Sequence, residues 1–207
     1  GVISHHTKLS VSGSTSANEV IDHIVACVGQ TMASCGRERV RGVGVGTPGL
    51  IIEETGTIVF APNVPGWTDL PLKSLLEQRL DLPVMIENDA NAAAFGEFWA
   101  GAGRDQSIRH LVMFTLGTGV GTGLIIDGKL IRGAFGLGAE GGHMIIEPNG
   151  RPCGCGQKGC LEAYTSATHT AARATEAVET GGNSSLQAIL NDNRLITSKD
   201  VFDAAAK

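Results

Sequence analysis

Twice along this chain a short apolar strand runs into a glycine-rich turn and emerges as another apolar strand. The first passage is RVRGVGVGTPGLIIEETGTIVFAP (residues 39–62) and the second is HLVMFTLGTGVGTGLIIDGKLIRG (110–133). Helical patterns lie before, between and after them, and such alternation argues for α/β layers. The glycines number 29 and are grouped, not spread as in a linker. Grouped glycine suits a backbone that turns sharply or closely approaches a ligand. The two strand pairs hint at a distant duplication. A chain of 207 residues holds one large domain or two small ones. The polar stretch RDQSIR (104–109) is the candidate boundary, giving domains 1–108 and 109–207.

Within this frame the local signals are readable. Ser16 and Glu19 make a capping-box pattern, and Ile21, Ile24, Val25 and Val28 share one face of the helix that follows. Residues 39–50 read as a buried strand turning at Pro48-Gly49, followed by a hairpin around Thr55-Gly56. Leu72, Leu75, Leu76 and Leu80 mark a short helix closed by Pro83. PVMIEN is a strand, and DANAAAFGEFWAGAG an alanine-rich helix ending in glycines. Asp127-Gly128 signals a hairpin turn. HMIIEP (143–148) reads as a strand, LEAYTSATHTAARATEAVE (161–179) as one helix, and a last helix begins near Ser198.

Composition excludes some partners. The net charge is −5 and charged residues make up 18%, which suits no nucleic-acid face. No apolar run reaches the roughly 18–20 residues of a membrane span. The N-terminus lacks the basic–apolar–small pattern of a signal peptide. The expectation is a soluble, cytoplasmic protein without membrane or nucleic-acid contacts. The chain starts at Gly1 and stops at DAAAK, and reads as a portion of something longer.

Three of the five cysteines, Cys153, Cys155 and Cys160, fall in RPCGCGQKGC (151–160). In a reducing compartment clustered cysteines more often bind metal or do redox chemistry than form bridges. Cys153 and Cys155 are too close to pair easily, and three thiols leave one over. Redox catalysis prefers Cys-x-x-Cys at a helix start, which this stretch lacks. His143 precedes the loop, and one His with three Cys completes a tetrahedral zinc set. A closed set leaves no position for a substrate water, so such a zinc is structural. The other reading is a free-thiol loop with His143 elsewhere.

Two further stretches carry chemistry. In LGTGVGTG (116–123), glycine N–H groups can form a nest for phosphate oxygens, with Thr118 adding a hydroxyl. A tight hairpin that simply needs glycine reads equally well. Asn88 and Asp89 stand where a strand stops and a helix starts. Both are ordinary N-cap residues, but a helix N-terminus also favours an ionised carboxylate able to act as a general base. Asn63, Asn88, Asp89, Glu140, His143 and Glu162 together make a set suited to several sugar hydroxyls. A buried hydroxyl without a partner costs about 1–3 kcal/mol.

These motifs resemble the ROK family of bacterial sugar kinases and sugar-responsive repressors. LGTGVGTGL with Gly133 and AEGGH is similar to the family signature, CGCGQKGCLE to its zinc loop, ENDANAAAFGE to its catalytic segment, and PNVPGW (62–67) to its sugar-contacting loop. One departure is GAE at 138–140, where the family more often has Ala-Gly-Glu.

The resemblance implies an actin/hexokinase-like (ribonuclease H-like) fold of two α/β domains around a cleft, incomplete here at both ends. It implies phosphorylation of glucose by ATP with Mg2+. Asp89 takes the hydroxyl proton; Asn63, Asn88, Glu140, His143 and Glu162 hold the sugar; Gly117, Thr118 and Gly119 cradle phosphate. His143, Cys153, Cys155 and Cys160 hold structural Zn2+, and the whole protein is a homodimer. The alternatives are a sugar-sensing repressor, a fragment that only binds sugar, or a kinase for N-acetylglucosamine, N-acetylmannosamine, allose or fructose. No Asp-x-Gly-x-Thr loop precedes the first strand and no adenosine-binding segment follows. The 207-residue chain alone is therefore expected to have little or no kinase activity.

Overall fold

The computed structural model describes residues 3–10, 16–61, 64, 66–105 and 107–206. The chain falls into two compact units, one of Gly1–Leu111 with Gly123–Gly138, the other of Val112–Thr122 with Ala139–Lys207.

The first unit opens with helix α1 (Ala17–Cys35). Its capping box is complete: the Glu19 N–H donates to Ser16 Oγ at 3.4 Å, and the Ser16 N–H donates to the Glu19 carboxylate at 2.7 Å. Then come β1 (Val43–Thr47), β2 (Leu50–Ile52), β3 (Thr57–Phe60), β4 (Thr68–Leu70), helix α2 (Leu72–Leu80), β5 (Val84–Asn88) and helix α3 (Asp89–Ala100). Strands β1 and β5 pair in parallel, with Val43 opposite Val84 and Thr47 opposite Asn88. A parallel pair needs a long crossover. Here it consists of the antiparallel β2–β3–β4 sheet and α2. The β2–β3 hairpin turns where Thr55-Gly56 signalled it. Strand β4 lacks a signal of its own because it is only three residues long. Strand β1 is half-buried, not buried throughout, because Gly44 and Gly46 lie on its exposed side.

One core holds this unit together. It gathers Ile21 of α1, Ile51, Ile58 and Trp67 from the antiparallel sheet and its approach, Leu72, Leu76 and Leu80 of α2, and Val84 and Ile86 of β5. Leu72, Leu76 and Ile58 are fully buried. Helix α2 stops at Asp81, whose φ of +50° is left-handed. That is two residues before Pro83, the breaker the sequence offers. Helix α3 is alanine-rich because a strand passes close to it. A Cβ on Gly123 would lie 2.8 Å from the Ala90 carbonyl and would collide with the Ala94 methyl.

Strands β6 (Leu111–Leu116), β7 (Val120–Ile126) and β8 (Lys129–Leu130) form a third sheet in that order. Asp127 (φ +50°) and Gly128 (φ +74°) make the β7–β8 turn. Two successive positive φ values are those of a tight hairpin.

The second unit continues with a 3₁₀ turn at Gly141–His143 and helices α4 (Glu162–Thr165), α5 (Ala167–Glu179), α6 (Gln187–Asn191) and α7 (Ser198–Ala205). Two expectations change here. Residues 143–148 are not a strand: Ile145 makes a single bridge to Cys160. The N–H groups of Ile146 and Glu147 both converge on the Gly159 carbonyl, at 2.8 and 3.2 Å. A ladder would spread them over separate carbonyls; the returning cysteine loop bends the chain and stops it. The helix expected over 161–179 breaks at Ser166, which is extended (φ −65°, ψ 157°) and caps α5 by accepting the His169 N–H at 3.2 Å. A serine hydroxyl competes with helix continuation in this way. Helix α7 begins as expected, with a Thr197–Asp200 capping box. The buried clusters of this unit are small: Cys153, Cys160 and Ala163 in one, Val178, Leu186 and Ile196 in the other. Among the described residues no helix is long and apolar enough to cross a membrane.

Candidate active site and metal centre

The ligand atoms of His143, Cys153, Cys155 and Cys160 lie within 4.8 Å of one another. Cys155 Sγ is 3.7 Å from Cys160 Sγ, and Cys153 Sγ is 3.7 Å from His143 Nδ1. A tetrahedral zinc with sulfur at ~2.3 Å and nitrogen at ~2.0–2.1 Å sets its ligand atoms about 3.6–3.8 Å apart. The set therefore fits zinc in donor type, and two of its pairs already stand at zinc spacing. His143 reaches it from the 3₁₀ turn, not from a strand. Burial pushes the Cys153 thiol up to about 12. Burial raises Cys160 as well. At Cys155 burial is outweighed by hydrogen bonds from the Gln157 backbone N–H and the two neighbouring thiols, and its pKa falls. Cys155 is thus the thiol most ready to ionise, and a metal must displace the proton of Cys153.

Glu162, the first residue of α4, joins this cluster to the glycine loop. Its Oε2 accepts the Val120 N–H at 2.8 Å, and its Oε1 lies 3.5 Å from Cys153 Sγ. The Ala167 N–H donates to the Gly117 carbonyl at 2.8 Å, a second stitch from the same segment. Spacing alone placed Glu162 near the cysteines; its grip on Val120 is invisible in sequence, since 42 residues separate them. Gly119 makes room for that grip, because a Cβ there would sit 2.6 Å from Glu162 Oε2, whereas one on Gly117 meets nothing within 4 Å. Gly119→Ala is therefore expected to push Glu162 off the buried Val120 N–H, costing about 1–3 kcal/mol. Gly117→Ala is expected to melt within about 0.5–1 kcal/mol of the parent. Thermal melts of both variants check this.

Gly117 and Thr118 are exposed at the tip between β6 and β7, and Gly119 is half-buried. The loop is thus a hairpin connection whose tip faces solvent. Glu140 is exposed and begins the 3₁₀ turn, its carbonyl accepting the His143 N–H at 3.0 Å. Glu140 and His143 accordingly sit on one turn.

In the first unit the structure decides which of Asn88 and Asp89 caps α3. Asn88 is the cap: its Oδ1 accepts the N–H groups of Ala90 at 3.0 Å and Asn91 at 3.2 Å. Asp89 is exposed, with Oδ1 accepting the Ala90 N–H at 2.8 Å. Glu87, absent from the sequence-derived set, accepts the Asn88 N–H at 3.0 Å and Asn91 Nδ2 at 3.2 Å through Oε1. Its only signal in sequence is its place beside Asn88-Asp89. Asn63 lies outside the described residues.

The glucokinase of Halalkalibacterium halodurans is 46% identical over 165 residues, covering 79% of this chain and 49% of that protein. A xylose repressor of Caldicellulosiruptor bescii is 45% identical over 125 residues, covering 60% of this chain and 31% of that protein. The chain spans about half the length, or less, of these curated relatives. The crystal structure of a ROK family glucokinase from Streptomyces griseus, in complex with glucose and AMPPNP, superposes with a TM-score of 0.77 at 39% identity. It covers 95% of this chain and 62% of that one. The α/β fold is that of the ROK hexokinase-like structures. A model of the ROK family matches residues 2–207, so the likeness extends well beyond the motif-bearing middle, and the chain belongs to the ROK family.

Proposed function

We propose that the protein of which this chain forms part is an ATP-dependent hexose kinase acting on glucose. The observation that carries this reading is Asp89: the cap is made by Asn88, so an exposed carboxylate stands at the start of α3 with no capping duty that Asn88 does not already perform. A carboxylate oxygen at that position is of the type that can take a hydroxyl proton from a substrate placed beside it. In the proposed reaction Asp89 takes the proton of the sugar hydroxyl as it attacks the γ-phosphate. Asn63, Asn88, Glu140, His143 and Glu162 hold the hexose, and Gly117, Thr118 and Gly119 hold phosphate. Mg2+ arriving with ATP supplies charge neutralisation on the phosphates. His143, Cys153, Cys155 and Cys160 hold a structural zinc that orders the loop carrying Glu162.

Similarity to glucokinases supports glucose as the acceptor. Similarity to xylose repressors supports a second reading, a sugar-responsive regulator without turnover. The intact protein with ATP, Mg2+ and a panel of hexoses separates them. The kinase reading expects glucose 6-phosphate to form about 10-fold or more faster than the phosphates of N-acetylglucosamine, N-acetylmannosamine or fructose, a gap that placed polar contacts readily supply. Sugar binding without phosphorylation, together with sugar-released DNA binding, would favour the regulator.

A further inference from the structure

We infer that Arg132 is a positioning residue for Asp89, holding through Glu87 the turn on which Asp89 stands. This rests on the assignment of Asp89 as the base.

Among the described residues, Asp89 itself is secured only by its Oδ1 contact to the Ala90 N–H. The turn around it is secured by Glu87. One oxygen of Glu87 takes the Asn88 N–H and Asn91 Nδ2, so it grips residues on both sides of Asp89. The other oxygen takes Arg132 Nε and Nη2, each at 2.7 Å. The Glu87 side chain is only 18% exposed, and without a cation it would be a poorly solvated negative charge two residues from a second one. Such a carboxylate would turn toward water and release Asn88 and Asn91.

Arg132 is itself constrained. Its Nη1 lies 3.2 Å from Glu53 Oε1, just past β2, and its carbonyl accepts the Gly138 N–H at 2.7 Å. One guanidinium thus serves Glu87 and Glu53 together while its backbone closes the 132–138 loop. A planar fork with several fixed donors does this, and a lysine ammonium does not. The competing view is a brace that only adds stability, tying the segments after β2 and β8 to the end of β5.

The test uses the intact protein with Arg132→Gln, Arg132→Lys, and Arg132→Gln combined with Glu87→Gln. Arg132→Gln is expected to lower kcat by about 10- to 100-fold while KM for ATP stays within about twofold, the signature of a displaced catalytic group. Arg132→Lys should recover part of that loss by restoring the charge. The double variant should also recover part of it, because the unpaired carboxylate is gone. A lowered melting temperature with unchanged kcat would make Arg132 a brace only and overturn the inference. So would equal losses in all three variants.

Amide exchange gives a readout independent of activity. In Arg132→Gln, exchange at Asn88, Ala90 and Asn91 should speed up by about 10-fold or more, while α5 keeps its protection. Unchanged exchange at those three amides overturns the inference whether or not the protein is a kinase. A wild-type protein that phosphorylates no hexose would defeat the functional reading instead, and the exchange data would still judge Arg132.

Discussion

Asp89→Asn in the intact protein is expected to lower hexose phosphorylation by roughly 10²–10⁴-fold while hexose affinity stays within a few-fold. The substitution removes the capacity to accept a proton and little else. An amide oxygen can still accept the Ala90 N–H that Asp89 Oδ1 now takes at 2.8 Å. The cap itself is untouched, because Asn88 Oδ1 supplies it to Ala90 and Asn91. Loss of the negative charge at the start of α3 should cost only about 0.3–1 kcal/mol, the usual interaction of an exposed acid with a helix N-terminus. Steady-state kinetics beside calorimetric titration with glucose separates the two effects. Near-normal turnover would remove Asp89 from the base role; loss of glucose binding as well would point to a damaged fold.

The Asn88–Asp89 pair shows what sequence could and could not tell. Both are good N-cap residues, so residue type alone left cap and base undivided. Backbone geometry gives the cap to Asn88, because the cap must be the last residue outside the helix. Signals confined to a few neighbouring residues were legible: the Ser16–Glu19 box, the Thr55-Gly56 and Asp127-Gly128 turns, and the Cys-x-Cys spacing. Long-range partners were not. Nothing near Glu162 announces Val120, and nothing near Glu87 announces Arg132, since a hydrogen bond across 42 or 45 residues leaves no periodicity. The 143–148 segment misled for a related reason. Its apolar run suits a strand, but only the fold decides whether a partner runs alongside, and the cysteine loop turns away after one bridge.

The inverted Gly138-Ala139 pair was legible as a departure and becomes physical in the structure. A Cβ on Gly138 would lie 2.7 Å from the Arg132 carbonyl carbon, so that position admits only glycine in this backbone. Ala139 then adopts φ +64°, a left-handed conformation that costs an alanine roughly 1–2 kcal/mol. The strain sits immediately before Glu140.

Stripping the metal should have the largest effect on the second unit. The intact protein is expected to carry about one zinc per chain, and a strong chelator should loosen residues 143–165. The reason lies in how little else holds them. The buried cluster there is Cys153, Cys160 and Ala163, with Tyr164 packed against it. Two of those three residues are themselves proposed ligands, so without metal they contribute only as small apolar groups. Structural zinc in peptide loops binds with about 10–16 kcal/mol, far more than such a cluster can supply.

Glu162 transmits the loss. Once the cysteine loop relaxes, its 2.8 Å hold on the Val120 N–H should weaken, and the glycine loop with it. Chelation or Cys160→Ala should therefore reduce affinity for nucleotide and hexose alike. Acid should act in the same direction as chelator, because protons compete with the metal for the thiols. The metal-free protein has a further weakness at high pH. The Cys153 thiol ionises near its ordinary 9.0 when unfolded but near about 12 when folded. The folded state then binds more protons across that window, so stability falls as pH rises through it. A metal-free protein that melts like the loaded one and binds glucose equally well would refute the zinc assignment, and it would leave Cys153 and Cys160 as ordinary core residues.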